Sequence, residues 1–169
     1  EDLQKNRNLL EARALGELGR SAAAIEILST MDGEEVERLK ADAYWSARNW
    51  KGVGRQIEKM LGGRWREVKP LSEQERFNVL RAAIGYSLAG DQFALDRIHR
   101  KFYSKLVKTP DADAFILVTK PITAKGVAFR NLAKEIAAID TLDAFMKEFK
   151  ARFERTSSKS SSGSEKTAG

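Results

Sequence analysis

Leu18-Gly19-Arg20-Ser21-Ala22-Ala23-Ala24-Ile25 joins two segments of helical periodicity. Upstream, Leu9, Ala12, Leu15 and Leu18 recur every three residues, which puts them near one face of a helix over about residues 3–18. Gly19 is the residue type that ends helices in a left-handed conformation, and Ser21 stands where it could cap the next helix. Downstream, Ala24, Ile25 and Leu28 carry a second helix that stops near Asp32-Gly33. The short turn reverses the chain, so the two helices are expected as a hairpin.

Working outward, the same signals recur. A third helix is expected over about residues 34–47, and a fourth, capped by Asn49, runs to Leu61 before Gly62-Gly63. A connector over 62–71 holds Trp65 and Pro70. Ser72-Glu73-Gln74-Glu75 is then a capping box, in which the serine accepts from the third helical amide and Glu75 reaches back to the cap amide. The fifth helix carries Phe77, Leu80, Ile84 and Leu88. Gly90-Asp91 turns into a sixth with Leu95, Ile98, Phe102 and Leu106, ended by Thr109-Pro110-Asp111. A short apolar helix is expected over about 112–119, before Pro121. Two more carry Val127, Leu132, Ile136 and Ile139, then Leu142, Phe145, Met146, Phe149 and Phe153, the last set a well-formed amphipathic stripe. From Thr156 serine, lysine, glycine and threonine dominate, and residues 156–169 are expected to be disordered.

Three sets of positions align. Ala12, Leu15, Gly19, Ala24 and Leu28 are matched by Ala41, Tyr44, Arg48, Val53 and Ile57, and again by Ala83, Tyr86, Gly90, Leu95 and His99. A small residue lets two helices approach, a larger one a turn later fills the space beside it, a turn residue reverses the chain, and the second helix packs back. This resembles the tetratricopeptide repeat, most closely at 18–25, with Ala47-Arg48-Asn49-Trp50 and Leu88-Ala89-Gly90-Asp91 as equivalent turns. The spacings of 29 and 42 residues between successive alanines depart from the family's period of about 34. His99 also stands where an apolar residue belongs, with Ile98 beside it to take that role.

The expected fold is therefore all-α. The resemblance implies stacked antiparallel helical hairpins over 1–107, with C-terminal capping helices over 108–155 and the tail beyond. Another α-solenoid or an irregular helical bundle is the alternative. Ala41-Asp42-Ala43-Tyr44-Trp45, Ser87-Leu88-Ala89-Gly90-Asp91 and Asp113-Ala114-Phe115 are similar to C-terminal regions of large tetratricopeptide proteins from α-proteobacteria. That similarity, with the polar opening Glu1-Asp2-Leu3-Gln4-Lys5, suggests the end of a longer bacterial repeat protein, in the cytoplasm or periplasm.

Composition narrows the chemistry. The chain has no cysteine, so disulfides, thiolate zinc sites and cysteine nucleophiles are excluded. Its one histidine, His99, lies among Arg97, Arg100 and Lys101, where a surface or partly packed position is expected. The run Glu34-Glu35-x-Glu37 suits a helix N-terminus. Gly52-Val53-Gly54 lacks the rest of any nucleotide fingerprint. No catalytic residue, metal ligand, cofactor or small-molecule substrate is expected. The net charge of +6 is uneven: residues 1–43 hold 6 Lys/Arg against 10 Asp/Glu, the remainder 24 against 14. Such polarity favours an electrostatic partner.

The leading expectation is a non-enzymatic domain for protein–protein interaction or scaffolding. Carried over from the resemblance, groove positions are Asn6, Leu9, Arg13 and Glu17 on the first helix, and Arg38, Asp42, Trp45 and Ser46 on the third. Tyr44 supplies the core aromatic in this reading, so Trp45 is either exposed for recognition or packed on the neighbouring pair. Co-chaperone grooves grip a carboxylate with lysine and asparagine; Leu9 and Arg13 stand there instead. The alternative is a basic adaptor for nucleic acid or an anionic membrane. One cluster for it is Arg48, Lys51, Arg55, Lys59, Arg64, Arg66 and Lys69. The other is Arg97, Arg100, Lys101, Lys105 and Lys108, with Phe102 and Tyr103 interleaved. A third reading is a helical accessory domain of an enzyme.

Overall fold

The computed structural model describes residues 2–120, 146–148 and 151. Among them the chain forms seven α-helices, one short 3₁₀ turn and no strand. The helices are α1 (Asp2–Glu17), α2 (Ser21–Ser29), α3 (Glu34–Ser46), α4 (Trp50–Leu61), α5 (Glu73–Leu88), α6 (Gln92–Leu106) and α7 (Ala112–Thr119), with the 3₁₀ turn at Arg64–Arg66. None is long and apolar enough to cross a membrane. The helices expected beyond Pro121 and the tail over 156–169 lie outside the described residues, apart from buried Met146 and its immediate neighbours.

Each helix packs on the one that follows it, and α1 also meets α3, as α5 meets α7. The helix ends explain why the chain reverses so sharply. Gly19, Arg48 and Gly90 have φ of +73°, +58° and +68°. Their amides donate to Gly16, Trp45 and Ser87, while the next amides, of Arg20, Asn49 and Asp91, reach back to Leu15, Tyr44 and Tyr86 at 2.8–3.0 Å. All three are the same Schellman-type ending. The aligned turn positions found in the sequence are thus conformationally equivalent, and Arg48 holds a backbone that glycine adopts more easily.

Three helix starts, those of α4, α5 and α6, are capped by side chains. Asn49 accepts from the Gly52 amide at 2.9 Å and Asp91 from the Ala94 amide at 3.0 Å. The Ser72–Glu75 box closes in both directions, at 3.2 and 2.7 Å. Ser21, by contrast, is the first residue of α2 rather than its cap; Arg20 holds the cap position with no side-chain bond, and Ser21 is buried.

Two apolar clusters result. The smaller joins Leu9 and Ala12 of α1, Ala24 and Leu28 of α2, and Val36 and Ala43 of α3. The larger runs from Ala41 and Trp45 of α3 through α4, α5 and α6 to Ala114, Phe115 and Val118 of α7. Helix α5 is its centre: every residue from Val79 to Tyr86 is buried, so its apolar surface extends well beyond the expected stripe. The tightest crossing is α4 on α5. A methyl added at Gly54 would come 2.6 Å from the Tyr86 ring, and one at Gly85 would come 3.1 Å from the Gly54 nitrogen. The glycines of Gly52-Val53-Gly54 therefore make room for tyrosine rings, Gly52 for Tyr44 and Gly54 for Tyr86.

Candidate functional site

A groove lies between the C-terminal halves of α1 and α3, and the Leu18-Gly19 turn also lines it. Its volume is about 770 Å³. Ala12, Leu28, Leu39, Ala43 and Trp45 form apolar walls, and Arg13, Glu17, Asp42, Ser46 and Arg48 supply polar ones. Arg13 pairs with Glu35 across the two helices. The Asp42 carboxylate is 3.5 Å from the guanidinium of Arg81 on α5, so the groove wall is tied to the larger cluster. Gly16 lines the groove from α1, and a Cβ there would meet nothing within 4 Å.

Five of the eight expected groove positions, Arg13, Glu17, Asp42, Trp45 and Ser46, come together here. Arg38 does not: it is exposed outside the groove, 3.9 Å from Glu35. Asn6 and Leu9 also stand outside it, Leu9 in the smaller cluster. Of the two readings of Trp45, packing on the neighbouring helices is the one observed, and Tyr44, expected as the core aromatic, is the less buried ring. Trp45 is only 1% exposed and meets Trp50 edge-on at 4.9 Å, whereas Tyr44 is half-buried. The reason is helix phase: Ala41 and Trp45, one turn apart, face α4 and α5, while Val36 and Ala43 face α1 and α2. Trp45 thus contributes to the groove as part of its wall. Leu18, expected on the buried stripe, lies past the end of α1 at the groove's edge, 73% exposed.

A larger cavity of about 860 Å³ lies between the N-terminal ends of α3 and α5 and the connector. Four of its charged residues, Glu37, Arg64, Glu67 and Glu75, are paired within the protein. Arg64 donates to Glu75 at 2.5 and 3.0 Å and to the Pro70 carbonyl at 3.0 Å. Glu37 accepts from Gln56, Lys59 and Lys40 at 2.5, 3.0 and 3.2 Å. Burial would raise Glu37, but those donors outweigh it and hold its carboxyl at about 2. Hydrogen bonding by Arg64 leads in bringing Glu75 to about 2 against its burial.

The basic residues of α6 are partly engaged. Arg97 reaches Glu58 at 2.8 and 3.1 Å and Lys101 reaches it at 3.0 Å, while the Tyr86 hydroxyl donates to it at 2.6 Å. Burial pushes the Glu58 carboxyl up, and these three donors together bring it down to about 2. Burial, then Glu58, push the Tyr86 phenol up. Lys105 donates to the carbonyls of Glu67 and Lys69, and Arg100 and Lys108 are exposed. The expected core position of Phe102 holds, and Tyr103 is on the surface. His99 is partly packed, with Nδ1 2.7 Å from the Thr119 hydroxyl.

Among the described residues no three His, Cys, Asp or Glu side chains stand together as metal ligands. Glu58, the junction of four side chains from three helices, was not marked by the sequence; its partners lie 28 to 43 residues away, with no local spacing to signal them. Comparison with known proteins finds no matching family model, no matching curated protein and no matching solved structure.

Proposed function

We propose that this chain is a non-catalytic helical interaction domain of the tetratricopeptide-like kind, and that the α1–α3 groove receives a peptide segment of a partner protein. The supporting observation is convergence. Residues of α1 and α3, separated in sequence by α2, line one groove of about 770 Å³ together with Leu28 of α2, with apolar walls and charges of both signs. That volume is in the range of ligand-binding clefts. The occupant it suits is an extended segment with one bulky apolar side chain, set against Leu39 and Trp45, and polar neighbours that meet Arg13, Glu17 and Asp42. The equivalent turns at Gly19, Arg48 and Gly90 and the packing of each helix on the next support the repeat reading.

Gly16 provides the test. Gly16→Leu places a side chain in the groove where the backbone is helical and the added Cβ has room. Peptides selected from a displayed library on the wild-type protein are expected to share an apolar anchor and to bind Gly16→Leu at least about tenfold more weakly, a difference of roughly 1.4 kcal/mol. Selected peptides that bind both proteins equally would overturn the groove assignment.

A further inference from the structure

Cations and rings far apart in sequence meet where the connector packs on α6. The 3₁₀ turn Arg64–Arg66 packs on α6. There Lys101 stands 5.8 Å from the Trp65 ring centroid, and the Arg66 guanidinium 4.6 Å from it. Lys105 donates to the backbone of Glu67 and Lys69. The basic run of the connector and that of α6 therefore form one surface. Arg97 and Lys101 share the single carboxylate of Glu58, so their pairing leaves one positive charge uncompensated. Arg66, Lys69, Arg100 and Lys108 are exposed around them.

Along α6, Phe93, Arg100, Tyr103 and Val107 follow at seven, three and four residues, the spacing of one helical face. Phe93 is 74% exposed and Tyr103 41%. Tyr103 also ends a column of rings. It stacks on His99 at 5.0 Å and 29°, and His99 stacks on Phe115 at 5.7 Å and 4°. The Thr119 hydroxyl donates to the Phe115 carbonyl at 2.8 Å, so it accepts from His99 Nδ1 and fixes the imidazole in the column.

We propose that this face binds single-stranded nucleic acid, with phosphates on Arg100, Lys101 and Lys108 and unpaired bases stacked on Tyr103 and Phe93. Alternation decides the ligand class. A single strand alternates charge with aromatic faces, as this helix does, and its bases are free to extend the Tyr103 column. An anionic membrane asks instead for a continuous apolar strip, which Arg100 interrupts between Phe93 and Tyr103. A duplex hides its base faces and would use the cations alone.

The test is fluorescence anisotropy of the full chain with a labelled oligouridine of about 20 nucleotides, longer than the roughly 4–16 that one such site covers. Expected is binding that weakens steeply with salt. It falls about 5- to 150-fold for Tyr103→Ala and survives in Tyr103→Phe, because stacking needs the ring and not the hydroxyl. Arg100→Ala lowers the salt slope by about 1. Phe93→Ala, at a ring outside the core, gives a second reading should Tyr103→Ala disturb the fold. Three results would overturn the proposal: no binding at low salt, affinity indifferent to both ring deletions, or capture of phosphatidylserine vesicles in place of the oligonucleotide.

Discussion

Two glycines show how differently a missing side chain can act. Gly90 holds φ +68° with nothing within 4 Å of its would-be Cβ, so only backbone conformation opposes a larger residue. Gly90→Ala is expected to cost about 1 kcal/mol in urea denaturation, the strain of a left-handed alanine. Gly54 is an ordinary helical residue whose methyl would strike the Tyr86 ring at 2.6 Å. Gly54→Ala is expected to cost about 1–3 kcal/mol by overpacking. It should also move Tyr86 off Glu58, visible as a change in tyrosine absorbance on alkaline titration. The turn at Gly90 was legible because glycine after a helical stripe has one common meaning. The packing at Gly54 was not, because a glycine inside a helix says nothing of what crosses it, and Tyr86 lies on another helix. Tyr44 and Trp45 show a related limit: α3 has two buried faces, and adjacent aromatics do not say which ring meets which.

Between elements, carboxylates do the joining. Glu58 of α4 holds Tyr86 of α5 and Arg97 and Lys101 of α6; Glu37 of α3 holds Gln56 and Lys59 of α4. Both carboxyls lie at about 2 in the folded chain, below their ordinary 4.5. A depressed carboxylate stabilises fully above its unfolded value, and that contribution is lost as pH falls through the folded one. Stability measured by urea midpoint should therefore drop between about pH 4.5 and about pH 2. Glu58→Gln should lower it by about 1–2 kcal/mol at neutral pH and make that acid limb shallower. The elements themselves were readable from stripes, the capping box, the cap Asn49 and the Gly90-Asp91 turn. Ser21 misled because a serine after Gly-Arg looks like a cap, while its position one residue inside the helix is fixed by the Schellman ending before it. Ion pairs across helices left no local trace.

At the scale of the whole molecule, the two apolar clusters divide the described chain unequally. α1 and α2 contribute only to the smaller one, and α3 alone belongs to both. Local opening follows buried apolar contact, so amides of α1 and α2 should exchange at a lower opening free energy than those of α5 in native-state hydrogen exchange. Equal protection throughout would mean the clusters unfold as one. The groove sits at the junction of these parts, between α1 and α3, so a bound segment would bridge the weaker cluster to the stronger. Five of its residues, Arg13, Glu17, Asp42, Trp45 and Ser46, were named from a repeat resemblance; the part taken by Gly16 and Leu18 required the fold. Hydrogen exchange of the full chain with and without a selected peptide tests the groove most directly. Protection concentrated on residues 12–19 and 39–48 is the predicted result; protection on α4 and α6, or none at saturating peptide, would contradict it.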